Sequence, residues 1–347
     1  MDIKTYFKAA LDKGASDLHL ISGNRPMLRI QGQLEPLSDQ SLDPKQLADA
    51  VFKAIDPEDV ETYKKKKAVD FALEISGGYF RVNLHQQEGT VGLTARVVPE
   101  KIPSPKDIDL NETVYSLSHL NDGLVLVTGP TGSGKSTTLA TLIELINHER
   151  KAHVVTIEDP IEFRFKEQQS IIEQRELGRD THDFAEALRS VLRQDPNVIM
   201  VGEMRDIDTI SATLTAAETG HLVLSTLHTS TAAETIERVV DMFPDHRQQQ
   251  ILIQLASTLR AVVCQQLLPK KGGGRVVARE ILVNTPAISN LIREDKIAHI
   301  PSAIQTSGKL GMVTMNKAIT ALYEQGLIEE TTYRNRLREG DKVGTYY

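Results

Sequence analysis

Apolar residues recur along this chain with two periods, and their arrangement divides it in two. In residues 1–98, helical spacing over 4–11 and Pro44–Ala54 brackets two short strand patterns, Asp17–Ile21 and Met27–Ile30, with Gly23 and Asn24 turning between them. A hairpin follows. Phe80, Val82 and Leu84 alternate with Tyr79, Arg81 and Asn83, while Val91, Leu93, Ala95 and Val97 alternate with Gly92, Thr94 and Arg96. Period two gathers the apolar set on one face, so the pattern predicts Arg81 and Arg96 on the same side of the hairpin. On pattern alone the two are either solvated surface arginines or a paired cationic site. The lysines at 64–67 read as the solvated end of a helix.

Pro99, Pro103 and Pro105 stand among charged residues and mark 99–113 as a linker. From about Val114, short apolar runs at 124–127, 154–157, Val198–Val201 and Leu222–Leu227 alternate with helical patterns, among them 183–193 and 208–219, the last closed by Gly220. That alternation is the signature of a parallel α/β sheet. From about Pro286 the chain turns helical, with Met315, Ile319 and Leu322 spaced along one helix before Gly326. The expected architecture is therefore a small α+β domain over 1–98, a linker over 99–113, and a larger α/β domain over 114–347.

Composition narrows the function classes. The 347 residues suffice for two domains with a sizeable core, and 40% hydrophobic with 25% charged residues is ordinary for a globular protein. A formal net charge of −7 argues against a motor that grips nucleic acid through a broad basic surface. No apolar run approaches the ~18 residues of a membrane span, and the N-terminus lacks the apolar core of a signal peptide, so the expected location is cytoplasmic. The single cysteine, Cys264, excludes an intrachain disulfide and a cysteine zinc cluster; in its apolar stretch it reads as a buried, inert thiol.

The chemistry begins at residues 129–136, Gly-Pro-Thr-Gly-Ser-Gly-Lys-Ser, directly after the apolar run 124–127. This is the G-x-x-x-x-G-K-[ST] phosphate loop in the strand–turn–helix setting that it requires. Gly129, Thr131, Gly132, Ser133 and Gly134 would present converging backbone N–H groups to a phosphate. Lys135 adds a point charge, Ser136 offers a hydroxyl to Mg²⁺, and Thr137 belongs to the helix whose positive end faces the same anion. Alone, the loop gives ATP or GTP binding.

Three further strands deliver polar residues at or near the same edge, where ligands bind in an open α/β sheet. Glu158 ends one, Glu203 follows four apolar residues in the next, and His228 follows the last, with His221 at its start. A carboxylate at Glu203 can hold Mg²⁺ or accept a proton from the attacking water, and Glu158 is a second candidate for either role. His228 is either a γ-phosphate sensor or a structural histidine. A cation must also neutralise the γ-phosphate in the transition state. The candidates are Arg81, Arg96, Arg189 and Arg193, the last two also readable as a surface pair at i, i+4.

Taken in order, GPTGSGKSTT, TIEDPIEF, LRSVLRQDPNVIMVGEMRD and AAETGHLVLSTLHT resemble the Walker A, Asp box, Walker B and His box of the secretion-ATPase superfamily. GASDLHL and LLPKKGGGRVVAREIL also fit, so the resemblance covers nearly the whole chain. Within the superfamily it is nearest to the PilT/PilU branch of type IV pilus retraction. Residues 287–294, AISNLIRE, are similar to that branch's AIRNLIRE signature, and one cysteine cannot build the zinc site of the longer extension ATPases.

The resemblance implies a PAS-like domain followed by a RecA-like P-loop ATPase domain, with ATP bound between them and Mg²⁺ as cofactor. It implies a homohexameric ring at the cytoplasmic base of the pilus. The ring would associate only peripherally with the inner membrane, act on a platform protein there, drive pilin back into the membrane, and hold no stable nucleic acid. It also implies that Arg81 and Arg96 reach the nucleotide phosphates, that Glu158 and Glu203 are the catalytic carboxylates, and that His221 and His228 form the His box. Two positions depart from the family pattern. Ser289 replaces the first arginine of the signature, which leaves a retraction motor and an accessory paralogue both open. Asn197 replaces an aspartate ahead of the strand, where no effect on chemistry is expected. The rivals from other classes are a nucleic-acid translocase and a non-hydrolysing nucleotide switch.

Overall fold

The computed structural model describes residues 2–30, 32–99 and 101–337. The chain forms two compact units: one holds the residues up to Lys101 together with Pro160–Arg164, the other Ile102–Asp159 and the residues from Phe165 onward.

The first unit is α+β. Its elements are α1 (Lys4–Asp12), β1 (Asp17–Ile21), β2 (Met27–Ile30), β3 (Gln33–Pro36), α2 (Pro44–Ala54), α3 (Pro57–Lys66), β4 (Ala68–Ile75), β5 (Gly78–Gln87) and β6 (Thr90–Val98). The strands form one sheet in the order β3-β2-β1-β6-β5-β4, antiparallel throughout. One face buries Leu18, Leu20, Phe80, Leu84 and Leu93 with Phe7 of α1 and Leu47 of α2. The Phe7 and Phe80 rings meet edge-on at 4.7 Å, the geometry aromatic quadrupoles favour. Arg81 and Arg96 are direct cross-strand partners, so both leave the sheet on the face opposite this core. The returning segment Pro160–Arg164 is fastened to β5. Arg81 Nη1 lies 3.6 Å from Glu162 Oε1, and the Arg164 guanidinium sits 4.8 Å from the centre of the Tyr79 ring.

The second unit runs α4 (Glu112–Ser116), β7 (Gly123–Thr128), α5 (Lys135–Glu149), β8 (His153–Glu158), β9 (Ile171–Glu176), α6 (Phe184–Val191), β10 (Val198–Val201), α7 (Ile207–Glu218), β11 (Leu222–Leu227), α8 (Ala232–Asp241), α9 (Asp245–Thr258), β12 (Leu259–Pro269), β13 (Arg275–Val283), α10 (Pro286–Arg293), α11 (Ile300–Thr306), α12 (Met315–Glu324) and α13 (Glu330–Arg336). The α/β expectation holds: its sheet has the order β13-β12-β7-β11-β10-β8-β9, parallel except for β13. Both faces are covered, which is why its central strands are apolar without alternation. In β7, Leu124 and Leu126 pack toward α6, α7 and α9, and Val125 and Val127 toward Leu142, Ile143 and Ile146 of α5.

Two local expectations change. The helix expected over 183–193 stops at Val191, because Asp195 takes a left-handed φ of 54° ahead of Pro196. Arg193 therefore lies past the helix end, so it does not share a helix side with Arg189. The proline-bearing stretch before α4 is also held by this unit. Thr141 on α5 donates to the Pro103 carbonyl at 3.0 Å, and Arg279 on β13 donates to the carbonyls of Asp109 and Ile108 at 2.7 and 2.8 Å. Burial pushes the Arg279 guanidinium down to about 10, which still leaves it charged at neutral pH.

Candidate nucleotide site

The phosphate loop joins β7 to α5 at the C-terminal edge of the parallel sheet. Its backbone is set by glycine: a Cβ at Gly129, whose φ is +139°, would lie 2.3 Å from the Gln265 carbonyl oxygen and 2.7 Å from Ser133 Oγ. No side chain caps the start of α5, so its first amides remain directed into the loop. Lys135 is buried and donates from Nζ to the carbonyls of Gly129 and Pro130 at 2.9 and 3.3 Å. The Ser133 hydroxyl is buried without a hydrogen-bond partner, a polar group that a phosphate oxygen would satisfy.

Gln265 of β12 braces this loop. Its Nε2 donates to the Ser133 carbonyl at 2.9 Å, and its Oε1 accepts from Thr138 Oγ1 at 3.0 Å. Loop and helix are thereby pinned to the neighbouring strand. The sequence pattern gave no signal for Gln265, because a lone glutamine in an apolar strand has no spacing of its own. Gly129→Ala is expected to abolish nucleotide binding, since backbone on one side and Ser133 on the other leave no room for a methyl group. Equilibrium binding of a fluorescent ADP analogue checks this, and wild-type affinity would contradict it.

Glu158 ends β8, is 6% exposed, and accepts at Oε1 from Thr156 Oγ1 at 2.7 Å and from Gln174 Nε2 of β9 at 3.3 Å. Glu203 follows β10 on a loop with a fixed backbone. The Gly202 amide donates to the Ile157 carbonyl at 2.8 Å, Thr226 Oγ1 donates to the Gly202 carbonyl at 2.6 Å, and Asp206 caps α7 by accepting from the Thr209 amide at 2.7 Å. The Glu203 side chain is paired on both oxygens: Oε1 with the Arg205 guanidinium and Oε2 with His228 Nε2 at 3.4 Å. Arg205 also lies 3.9 Å from Asp159 Oδ2. Its bond to Glu203 outweighs desolvation and raises its guanidinium above the ordinary value. In the sequence Arg205 reads as solvated. The approach to Asp159 depends on strands β8 and β10 being neighbours, which no local pattern reveals.

The structure thus brings Glu203 and His228 together and separates His221 from them. The His221 carbonyl accepts from the Gly123 amide at the opposite edge of the sheet, and its ring contacts Thr219 Oγ1 at 3.1 Å and the Ala216 carbonyl at 2.9 Å. The six residues of β11 lie between the two histidines, about 20 Å of extended chain. His221 closes the turn after α7 and does not line the loop edge within this unit.

In the first unit Arg96 Nε donates to Asp17 Oδ1 at 2.8 Å. Asp17 is a buried carboxylate. Burial alone would raise its pKa, but the bonds from Arg96 and Ser16, with the charges of Arg96 and His19, hold it below the ordinary carboxylate value. The departures from the family pattern are structural in this chain. Ser289 Oγ donates to the Ala256 carbonyl at 2.8 Å, tying α10 to α9, and Asn197 Oδ1 accepts from the His153 amide at 2.8 Å.

Similarity to known proteins extends over nearly the whole chain. The family model described as Type II/IV secretion system protein matches residues 1–272. The chain is 44% identical to the type IV pilus retraction ATPase PilT of Pseudomonas aeruginosa, over 97% of this chain and 98% of that one. It is 36% identical to the type IV pilus ATPase PilU of the same organism, over 99% of this chain and 90% of that one. A crystal structure of the pilus retraction motor PilT with bound ADP superposes with a TM-score of 0.93 at 44% identity, covering 99% of each chain.

Proposed function

This chain belongs to the Type II/IV secretion system protein family, and on that premise we propose that it is a Mg²⁺-dependent ATPase that powers type IV pilus retraction. It would work as a homohexamer at the cytoplasmic face of the inner membrane. There it would bear on a platform protein and, through it, on pilin. The observation that carries the reading is the phosphate loop, with its buried Lys135, on the same sheet edge as Glu158 and Glu203. A non-hydrolysing switch has no need of two carboxylates beside the loop. Among the described residues no helix is long and apolar enough to cross a membrane.

Lys135 and the loop amides hold the phosphates of ATP, and Ser136 and Glu203 hold the metal. The metal those two residues would hold would supply neutralisation of phosphate charge. For Lys135 to reach the phosphates, its Nζ must leave the carbonyls of Gly129 and Pro130, trading two neutral acceptors for an anion. Glu203, after β10 and two strands from the loop-bearing β7, or Glu158, on β8 and three strands from it, takes the proton from the attacking water. Arg81 supplies the cation that meets developing charge. His228 holds Glu203 from the side opposite Arg205.

Deleting the gene in its host and counting pili tests the direction of work. A retraction motor gives surplus, immobile pili. Absence of pili would mean extension, and normal retracting pili an accessory role; either result overturns the proposed direction.

A further inference from the structure

The cluster Asp159–Arg205–Glu203–His228 contains two members with no role in the mechanism above, Asp159 and Arg205. Arg205 is the cation between two carboxylates that neighbouring strands deliver, Asp159 after β8 and Glu203 after β10. Its backbone is fixed between the Gly202 anchor and the Asp206 cap, yet its side chain is 65% exposed. Glu203, by contrast, is mostly buried, so its partners decide what it can bind.

We propose that Arg205 is a positioning residue that competes with the metal for Glu203, parking that carboxylate when no nucleotide is bound and moving toward Asp159 when the metal arrives. The inference rests on the proposed ATPase reading. Three physical points support it. A guanidinium on a carboxylate oxygen takes one of its two lone-pair directions and repels a second cation there, so Arg205 and a hard cation compete at Oε1. A half-exposed ion pair is weak, which suits an interaction that must be surrendered in each cycle. Asp159 at 3.9 Å offers the guanidinium a second carboxylate within a small rotation, so release from Glu203 leaves no isolated charge. His228 stays on the other oxygen and keeps Glu203 aimed during the exchange.

The test is a magnesium chloride titration of fluorescent-ADP binding, read without turnover, on wild type, Arg205→Ala and Arg205→Lys. Competition predicts that Arg205→Ala lowers the Mg²⁺ midpoint by roughly two- to fivefold, the range an exposed pair supports. Arg205→Lys keeps the charge and is expected to restore the wild-type midpoint. Steady-state phosphate release should fall about tenfold in Arg205→Ala, because the freed carboxylate is no longer held in one orientation. An unchanged midpoint overturns the proposal, and so does a raised one, which would make Arg205 an orienter of the metal ligand. If wild type binds no ADP at any Mg²⁺ concentration, the ATPase reading fails and this inference falls with it. Wild type with normal Mg²⁺-dependent binding beside an unchanged Arg205→Ala sinks the Arg205 role alone.

Discussion

Glu203→Gln is expected to bind nucleotide as tightly as wild type and to lose turnover by roughly 10²–10⁴-fold, the usual worth of a general base. The substitution is nearly isosteric, so the loop held by Gly202, Thr226 and Asp206 stays as it is. What changes is charge. The amide cannot accept the water proton, and its NH₂ would face either Arg205 or His228, so one of the two pairings is lost. Phosphate release measured beside fluorescent-ADP affinity separates the effects. Near-normal turnover would move the base to Glu158, which is the more deeply buried of the two and is held by Thr156 and Gln174. Glu158→Gln measured in parallel therefore divides the labour between the carboxylates: the base loses turnover with binding kept, while a group that only orients water or its partner strand loses much less.

Much of the second unit is legible in the sequence because its central strands are buried on both faces. β7, β8, β10 and β11 are largely apolar and wholly or almost wholly buried, and the residues with distinctive chemistry, the phosphate loop, Glu158, Glu203 and His228, stand at their ends or just beyond them. β9, with the sequence Ile-Ile-Glu-Gln-Arg-Glu, is an edge strand, mostly polar, and matches neither period. β3 has no buried residue at all. β12 and β13 extend the apolar stretch around Cys264, yet nothing local tells their antiparallel pairing from a buried helix. The site divides in the same way. Loop, carboxylates and the pairing of Arg81 with Arg96 come from short-range pattern. The Gln265 brace, the Arg205 bridge and the return of Pro160–Arg164 to the first unit come from which strands are neighbours, and that information is not local. The two histidines make the point from the other side: the family resemblance groups them in one His box, while the strand between them, already legible in the sequence, puts one at each end of β11.

Arg81→Ala is expected to slow hydrolysis by roughly 10³–10⁵-fold if this residue is the transition-state cation, with little loss of nucleotide affinity. Arg96→Ala should behave differently, although the two residues are cross-strand partners. Arg81 faces Glu162 at 3.6 Å, and Glu162 is 44% exposed, so exchanging that carboxylate for a phosphate costs little. Arg96 is bound at 2.8 Å to the buried Asp17 carboxylate, with Arg29 a distant second cation at 3.9 Å. Leaving Asp17 would strand a buried charge. Arg96→Ala should therefore destabilise the protein by about 1–2 kcal/mol. Its effect on turnover should be smaller than that of Arg81→Ala. The acid limb of stability gives an independent check. Asp17 has a depressed pKa in the folded protein, so its contribution is complete above the unfolded value of about 3.9 and is lost as pH falls through the folded value. The advantage of wild type over Arg96→Ala in denaturant unfolding should accordingly be full at neutral pH and shrink below about pH 4. Equal losses of turnover in both variants, with no change in stability for Arg96→Ala, would mean that Asp17 releases Arg96 as readily as Glu162 releases Arg81, and that the two arginines act as a pair.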